Sequence, residues 1–309
     1  MKKEAIKLDP VTIEILSNGL QSVVDEAFIA LMKSAYSTNI KERHDHSCAI
    51  VDRTGRLVAQ AANSIPVHIA SVLGQMQAIF KKFPLDEITE GDIFAANDPH
   101  EGGGTHLPDV SLAMPVFADG QLLGFVCNIA HHADIGGMSP GSMAGGMKDI
   151  YQEGLRIPVV KLFRKGKLDQ DIFDILLLNV RVREERRGDY NAQFSALHLA
   201  ARRLFEMISK YSGDLIRNVF NEIIDRTYER MLSAITLIPD GVYRFEDVMD
   251  DDGDFSSQSV KLMNPNVSDP LPYPLIVLFI SFLFLISSIF YRFRKDSENT
   301  SIPKWSKGK

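Results

Sequence analysis

Cysteine is scarce in this chain. Only Cys48 and Cys127 occur among 309 residues, far apart and in no CxxC pair. That excludes a disulfide-stapled miniprotein and fits a reducing compartment. An excess of positive charge is also missing. Lys and Arg total 34 against 40 Asp and Glu, a formal charge of −6, so nothing points to a nucleic-acid binder held by phosphate contacts. No GxxxxGK[ST] loop and no strand–GxGxxG–helix unit is present, which argues against a nucleotide site built by this chain alone. There is no internal repeat. The start, MKKEAIKLDP, has lysines but neither an apolar core nor a small-residue cleavage site, so it does not read as a secretory signal. What is present is globular: 45% hydrophobic and 24% charged residues, enough length for one large domain or two ordinary ones, and neither a disordered nor a collagen-like composition.

The average charge conceals a division. Residues 275–291 (LIVLFISFLFLISSIFY) carry no charge, and residues 292–309 carry six basic and two acidic side chains, leaving residues 1–274 at −10. The chain is an acidic body followed by an apolar and basic tail.

Along the body, Asp9-Pro10 reads as an N-cap followed by proline at the first helical position. Ile13, Leu16, Leu20, Val24, Ala27, Leu31 and Ala35 recur at helical spacing, predicting one long amphipathic helix over 10–37. Residues 47–60 predict a hairpin turning at Asp52–Gly55, and 67–82 a helix stopped by Pro84. Strands are expected at 92–96, 110–117 and 122–129, the last two joined by Asp119-Gly120. Helices are expected at about 170–180 and 188–235, and a strand leading into an acidic turn at 240–254. The fold class is α+β, a mixed or antiparallel sheet with long helices packed on it, and the tail adds a C-terminal hydrophobic helix.

Six of the eight histidines fall in three short segments: His44 and His46 in KERHDHSC, His100 and His106 in NDPHEGGGTHLPD, His131 and His132 in AHHAD. Two of these pair histidine with aspartate, as His106-x-x-Asp109 and His132-x-Asp134. Imidazole and carboxylate together suit borderline divalent metals such as Zn, Mn or Fe, and the absence of sulfur from the clusters argues against a thiolate site. Two ligands three residues apart reach one ion from a turn, and a third from a loop some 25 residues on closes a facial triad with open positions. Against this stands the plain alternative that histidines beside Gly-rich loops are structural hydrogen bonders. Gly102–Gly104 and Gly136–Gly137 permit close backbone approach to an ion or ligand. Ser47 and Cys48, near His44 and His46, invite a nucleophile reading, but they begin an apolar strand and read better as small buried residues.

The segments NDPHEGGGTHLPDVSLAMPVF, AHHADIGGMSPGSM and EGLRIPVVKLF, with STNIKERHDHSCAIVDRTGRLVAQ before them and IPDGVYRFEDVMDDDG after, resemble the hydantoinase B / 5-oxoprolinase family over residues 9–253. The resemblance implies a cytoplasmic hydrolase subunit. It would act in a hetero-oligomer with a hydantoinase A-type partner that handles ATP, opening a cyclic amide such as 5-oxoproline or N-methylhydantoin. The acetone carboxylase alpha subunit is a relative that holds manganese. That implies a metal, manganese foremost, on His106, Asp109 and His132. His131 and Asp134 then become catalytic candidates, able to accept a proton. Asp98, His100, Gly103 and Gly104 become substrate-side candidates, although the family more often has an aromatic residue where His100 stands. A non-catalytic or membrane-tethered remnant and an acetone carboxylase-like subunit are the alternatives.

The family pattern is expected to stop near Gly253, with 254–270 as a linker, 271–291 as a segment long enough to span a bilayer and 292–309 as a basic tail. The uncharged run and its basic flank fit a membrane anchor. They also fit a truncated or shifted reading frame, the simpler explanation, or a buried helix.

Overall fold

The computed structural model describes residues 9–237, 242–248 and 257–263. In chain order the elements are α1 (Pro10–Ser34), α2 (Thr38–Lys41), β1 (His46–Asp52), β2 (Leu57–Gln60), α3 (Pro66–Lys82), β3 (Ile93–Ala96), β4 (Asp109–Ala118) and β5 (Gln121–His131). They continue as α4 (Ile150–Glu153), β6 (Val160–Arg164), β7 (Lys167–Leu168), α5 (Gln170–Leu178), α6 (Arg183–Tyr211), α7 (Gly213–Thr236), β8 (Val242–Val248) and β9 (Ser257–Met263). The chain divides into two units, Met1–Asp225 and Arg226–Lys309.

The first unit is built on a seven-stranded sheet in the order β2-β1-β5-β4-β3-β6-β7. Every neighbouring pair is antiparallel, so the sheet is antiparallel throughout. Asp9 caps α1 by accepting from the backbone N–H groups of Val11 and Thr12, and Pro10 occupies the first helical position, where no N–H is needed. The helix buries Ile13, Leu16, Leu20, Val23, Val24, Ala27 and Leu31 as one stripe. Truncating a fully buried member such as Leu20 to Ala would cost about 2–5 kcal/mol.

Strand alternation sends side chains to two different cores. Cys48, Ile50, Val110, Leu112, Val126 and Ala130 face the layer made by α1 and α6. Val51, Ala113, Phe125 and Cys127 face α3 with its Val72, Met76 and Ile79. Along β5 from Phe125 onward, even-numbered residues therefore look toward α6 and odd-numbered residues toward α3. α1 lies on α6 closely enough that a Cβ on Gly19 would sit 3.0 Å from Met207 Cε, and Glu26 pairs with Arg203 at 2.8 Å.

The single helix expected over 188–235 is two helices. It begins earlier, at Arg183, and breaks at Ser212, whose φ of 75° lies in the left-handed region and ends α6 before Gly213 starts α7. Strands β6 and β7 add to those the sequence pattern predicts. β6 follows Pro158 and pairs with β3, and a tight turn at Lys165-Gly166 joins it to β7.

The second unit begins at Arg226, within α7, and its other described part is the antiparallel pair β8–β9, with Val242 opposite Met263 and Val248 opposite Ser257. Strand β9 falls in the stretch expected as a linker. The expected hydrophobic helix at 271–291 and the basic tail at 292–309 lie outside the described residues. Among the described residues no helix is long and apolar enough to cross a membrane.

Candidate metal centre

Antiparallel pairing brings the start of β1, the end of β5 and the start of β4 to one end of the sheet. His131 stands directly opposite Asp109 in the β4–β5 register. On the other side of β5, the backbone N–H of His131 donates to the carbonyl of Asp45, one residue before β1. His106 reaches back from the loop before β4, where a turn closes from Asp109 N to His106 O at 3.1 Å.

Asp109 is the hub. His106 Nε2 lies 2.8 Å and His131 Nδ1 3.1 Å from Asp109 Oδ1. One ligand atom from each of His106, Asp109 and His131 falls within 4.8 Å of the other two. Burial opposes ionisation of Asp109, but hydrogen bonds from His106 and His131 and the nearby His68 outweigh it and hold its carboxyl far below the usual range. The same hydrogen bond raises His106 above its ordinary value, with burial opposing. His106 is 38% exposed at its side chain and Asp109 only 2%, so the cluster opens to solvent on the His106 side.

Two further residues complete the cluster, and sequence motifs single out neither. Asp45 Oδ1 lies 3.5 Å from His68 Nε2 and its Oδ2 3.7 Å from His131 Nδ1. His68, on the first turn of α3, places Nε2 3.6 Å from Asp109 Oδ2. The hydroxyl of Ser47 accepts from Ile65 N at 2.8 Å and contacts His68 Nδ1 at 3.1 Å. We assign that hydroxyl as the donor to Nδ1, which leaves the Nε2 proton of His68 facing the two carboxylates. Burial lowers the pKa of His68 despite those carboxylates, keeping it neutral. Ser47 is thus a buried prop for His68. Asp45 has a faint signal, being flanked by His44 and His46 in HDHS at a strand start, where its odd number places it on the His131 side. His68 has none, because a lone histidine on an apolar helix reads as core.

His132 is fully buried on the α6 side, its Nε2 donating to Gln193 Oε1 at 2.9 Å and its ring 4.4 Å from that of Tyr190. One residue beyond His131 along an extended strand, it points to the opposite face, so the structure gathers His131 with His106 and Asp109 and leaves His132 apart. Asp134 is buried and accepts from the backbone N–H groups of Gly136, Gly141 and Arg181 and from Arg181 Nη1, which makes it the anchor of its own loop. Burial opposes ionisation, but these donors lower its pKa. Asp98 accepts from His100 N and Glu101 N and pairs with Arg156 Nε, so its carboxylate is used within the loop. His100 is exposed. The close approach expected at Gly103 and Gly104 is made by this chain's own backbone: a Cβ on Gly103 would lie 2.0 Å from Gly74 C of α3, and one on Gly104 would lie 2.7 Å from Asn97 O.

Fold and cluster together define an α+β protein with an imidazole–carboxylate centre of the kind that holds a divalent cation at the end of an antiparallel sheet. The chain belongs to the Hydantoinase B/oxoprolinase family, whose family model matches residues 9–266. It is 34% identical over 246 residues to the beta chain of the caprolactamase of Pseudomonas jessenii, covering 80% of this chain and 42% of that one. It is 32% identical over 265 residues to the B component of a putative D-/L-hydantoinase of Pseudomonas sp. (strain NS671), covering 85% and 45%. The crystal structure of the ATP-dependent caprolactamase from Pseudomonas jessenii superposes with a TM-score of 0.76 at 32% identity, over 84% of this chain and 45% of that one. The chain thus spans less than half the length of these relatives.

Proposed function

We propose that this chain is one subunit of an ATP-dependent hydrolase of cyclic amides, a lactam or hydantoin ring being the substrate class. A hydantoinase A-type partner would carry the ATP chemistry. The observation that carries the reading is the convergence of His106, Asp109 and His131 at one solvent-open end of the sheet. The names of the similar caprolactamase and hydantoinase chains support it, as does the lack of a nucleotide loop in the sequence.

His106, Asp109 and His131 would hold a divalent cation, with manganese, zinc and iron all compatible with two imidazoles and a carboxylate. Asp45 stands within reach of the same place. Such a cation polarises a carbonyl or phosphoryl oxygen and lowers the pKa of bound water. The protein's own part is preparatory. Asp109 stays ionised across the working pH range. His68 stays neutral with its Nε2 proton toward both carboxylates, which orients them in the way outer hydrogen bonds orient ligating groups. Asp98 and Asp134 use their carboxylates to shape the flanking loops.

The test is metal analysis of the purified full chain, followed by ATP- and lactam-dependent ADP release after mixing with a hydantoinase A-type partner. The reading expects about one divalent ion per chain, lost in Asp109→Ala, and turnover only in the mixture. A chain that binds no Mn, Zn or Fe, with dissociation constants beyond the millimolar range, would refute the metal centre. Binding without turnover alongside a competent partner would instead favour a non-catalytic family remnant.

A further inference from the structure

The centre lies on the α3 side of the sheet, yet one side chain on the opposite side touches both strands that carry it. Gln193 of α6 is fully buried. Its Nε2 donates to Val110 O at 2.9 Å and to Asn128 Oδ1 at 3.1 Å. Its Oε1 accepts from His132 Nε2 at 2.9 Å, and its backbone carbonyl accepts from Asn128 Nδ2 at 2.8 Å. Val110 immediately follows Asp109, and His132 immediately follows His131. A single amide therefore grips the residue next to each of the two facing members of the cluster.

The orientation of this amide is fixed by chemistry. Turned over, it would set its oxygen against the carbonyl of Val110 and the Oδ1 of Asn128, three acceptors together with no proton among them. With Nε2 toward Val110, the oxygen must face His132. That makes His132 Nε2 the donor and leaves its Nδ1 without a partner among the described residues. The location matters as much. The paired β4–β5 register reaches only to Asp109 opposite His131, and beyond it a single backbone bond, His132 N to Pro108 O at 2.8 Å, joins the two chains. Where the ladder runs out, the spacing of the strand ends depends on such side-chain ties. Gln193 is a fully buried polar side chain where the α6 face passes from buried Arg186 and Asp189 to Ala196, Leu197, Ala200 and Leu204, and both polar ends of its amide are used on the strand ends rather than on its own helix.

We propose that Gln193 is a positioning residue for the metal centre. From behind the sheet it holds the Asp109–His131 separation at the value the centre uses. The proposal rests on the metal reading above. It adds that α6 takes part in metal binding through this one side chain, without providing a ligand.

Cobalt(II) titration of the full chain, followed by visible ligand-field absorption, tests it. The proteins to compare are wild type, Gln193→Glu, which keeps the shape but loses both donors, Gln193→Met, and Ile208→Val, which loosens α6 away from the strand ends. Wild type should bind one cobalt. The two Gln193 variants should bind about 10–100-fold more weakly and with a shifted ligand-field band, as expected when outer support of a ligand is lost. Ile208→Val should lower Tm and leave both affinity and spectrum unchanged. If both Gln193 variants fail to fold, Asn128→Ala, which removes one of the two acceptors, should give a smaller shift in the same direction. Wild-type affinity and spectrum in the folded Gln193 variants, or in Asn128→Ala where those do not fold, overturn the proposal while the metal centre stands. So does an equal weakening in Ile208→Val. A wild-type chain that binds no cobalt overturns the metal reading itself, and this proposal with it.

Discussion

Asp109 and His131 face one another as an opposed pair across β4 and β5, with His131 Nδ1 3.1 Å from Asp109 Oδ1, and the same oxygen lies 2.8 Å from His106 Nε2. One buried carboxylate oxygen thus serves two imidazoles. Asp109→Asn keeps the size but removes the charge. It should weaken divalent-metal binding by well over tenfold. In the metal-free chain it should lower stability by about 1–3 kcal/mol, the usual cost of leaving buried polar partners unpaired. Isothermal titration with Mn(II) and urea unfolding in EDTA measure the two effects. An unchanged urea midpoint would show that Asp109 is not the hub.

Acid should destabilise the metal-free chain through its buried histidines. Burial lowers His46 and His132 from the ordinary value of 6.5 to about 4, and His68 is lowered in the same direction. A group depressed on folding takes up its proton more readily in the unfolded chain. Its stabilising contribution is therefore complete above pH 6.5 and is lost as pH falls from there toward 4. Each such histidine adds a slope of up to about 1.4 kcal/mol per pH unit within that window. His106, raised instead, keeps its contribution throughout the window and loses it as pH rises from 6.5 through its own raised pKa. Depressed carboxylates such as Asp109 matter only below about pH 4. Urea midpoints in EDTA at pH 7.0, 5.5 and 4.5 should fall steadily. His46→Gln, tested at the same three values, should flatten part of the decline, and a midpoint independent of pH from 7.0 to 4.5 would contradict this account.

Much of this arrangement is written in local sequence, and the part that is not has an identifiable cause. Asp9-Pro10 announces α1, Asp119-Gly120 announces the β4–β5 turn, and the three histidine segments mark the end of the sheet where the cluster lies. Motif matching gives His131 and His132 opposite roles to those their positions support, because it does not say where a strand ends. Alternation does: with Phe125 and Cys127 toward α3 and Val126 and Ala130 toward α6, His131 goes with Asp109 and His132 with Gln193. His68 joins the site only through packing between segments distant in sequence, which no local spacing encodes, and Asp45 carries only the faint signal of its place in HDHS before β1. The break at Ser212 has a local signal, the Ser212-Gly213 dipeptide at the end of α6, which a reading by apolar periodicity alone passes over.

The loop after β5 depends on Asp134 and Arg181. Arg181 Nη1 reaches Asp134 Oδ2 at 3.0 Å, and Arg181 Nη2 donates to Gly137 O at 2.9 Å. Asp134 is buried, whereas the Arg181 side chain is 41% exposed, so the two ends of this pair are unequal. Asp134→Ala strands the N–H groups of Gly136, Gly141 and Arg181 and should cost about 2–3 kcal/mol, while Arg181→Ala removes a partly solvated cation and should cost about 1 kcal/mol or less. Hydrogen exchange over residues 135–149 should accelerate in both, more in Asp134→Ala. The reverse order would mean that the guanidinium, not the carboxylate, organises the loop.

The loop bearing His106 is seated directly on the backbone of α3. Gly103 has φ +78°, and a Cβ there would lie 2.0 Å from Gly74 C and 2.3 Å from Gln75 N. The obstruction is helix backbone, which cannot rotate away as a side chain could. Gly146 has the same φ of +78° with nothing within 4 Å of its would-be Cβ, so it isolates the conformational cost from the steric one. Gly146→Ala should cost about 1–2 kcal/mol, the left-handed penalty alone. Gly103→Ala adds overpacking of about 1–3 kcal/mol, and it can relieve that clash only by lifting the loop from α3. His106 rides on that loop three residues later, so Gly103→Ala should also weaken Mn(II) binding, whereas Gly146→Ala should leave it unchanged. Urea unfolding and metal titration on the two variants separate these effects. Equal losses in both measurements would mean that the packing of Gly103 on Gly74 has no part in placing His106.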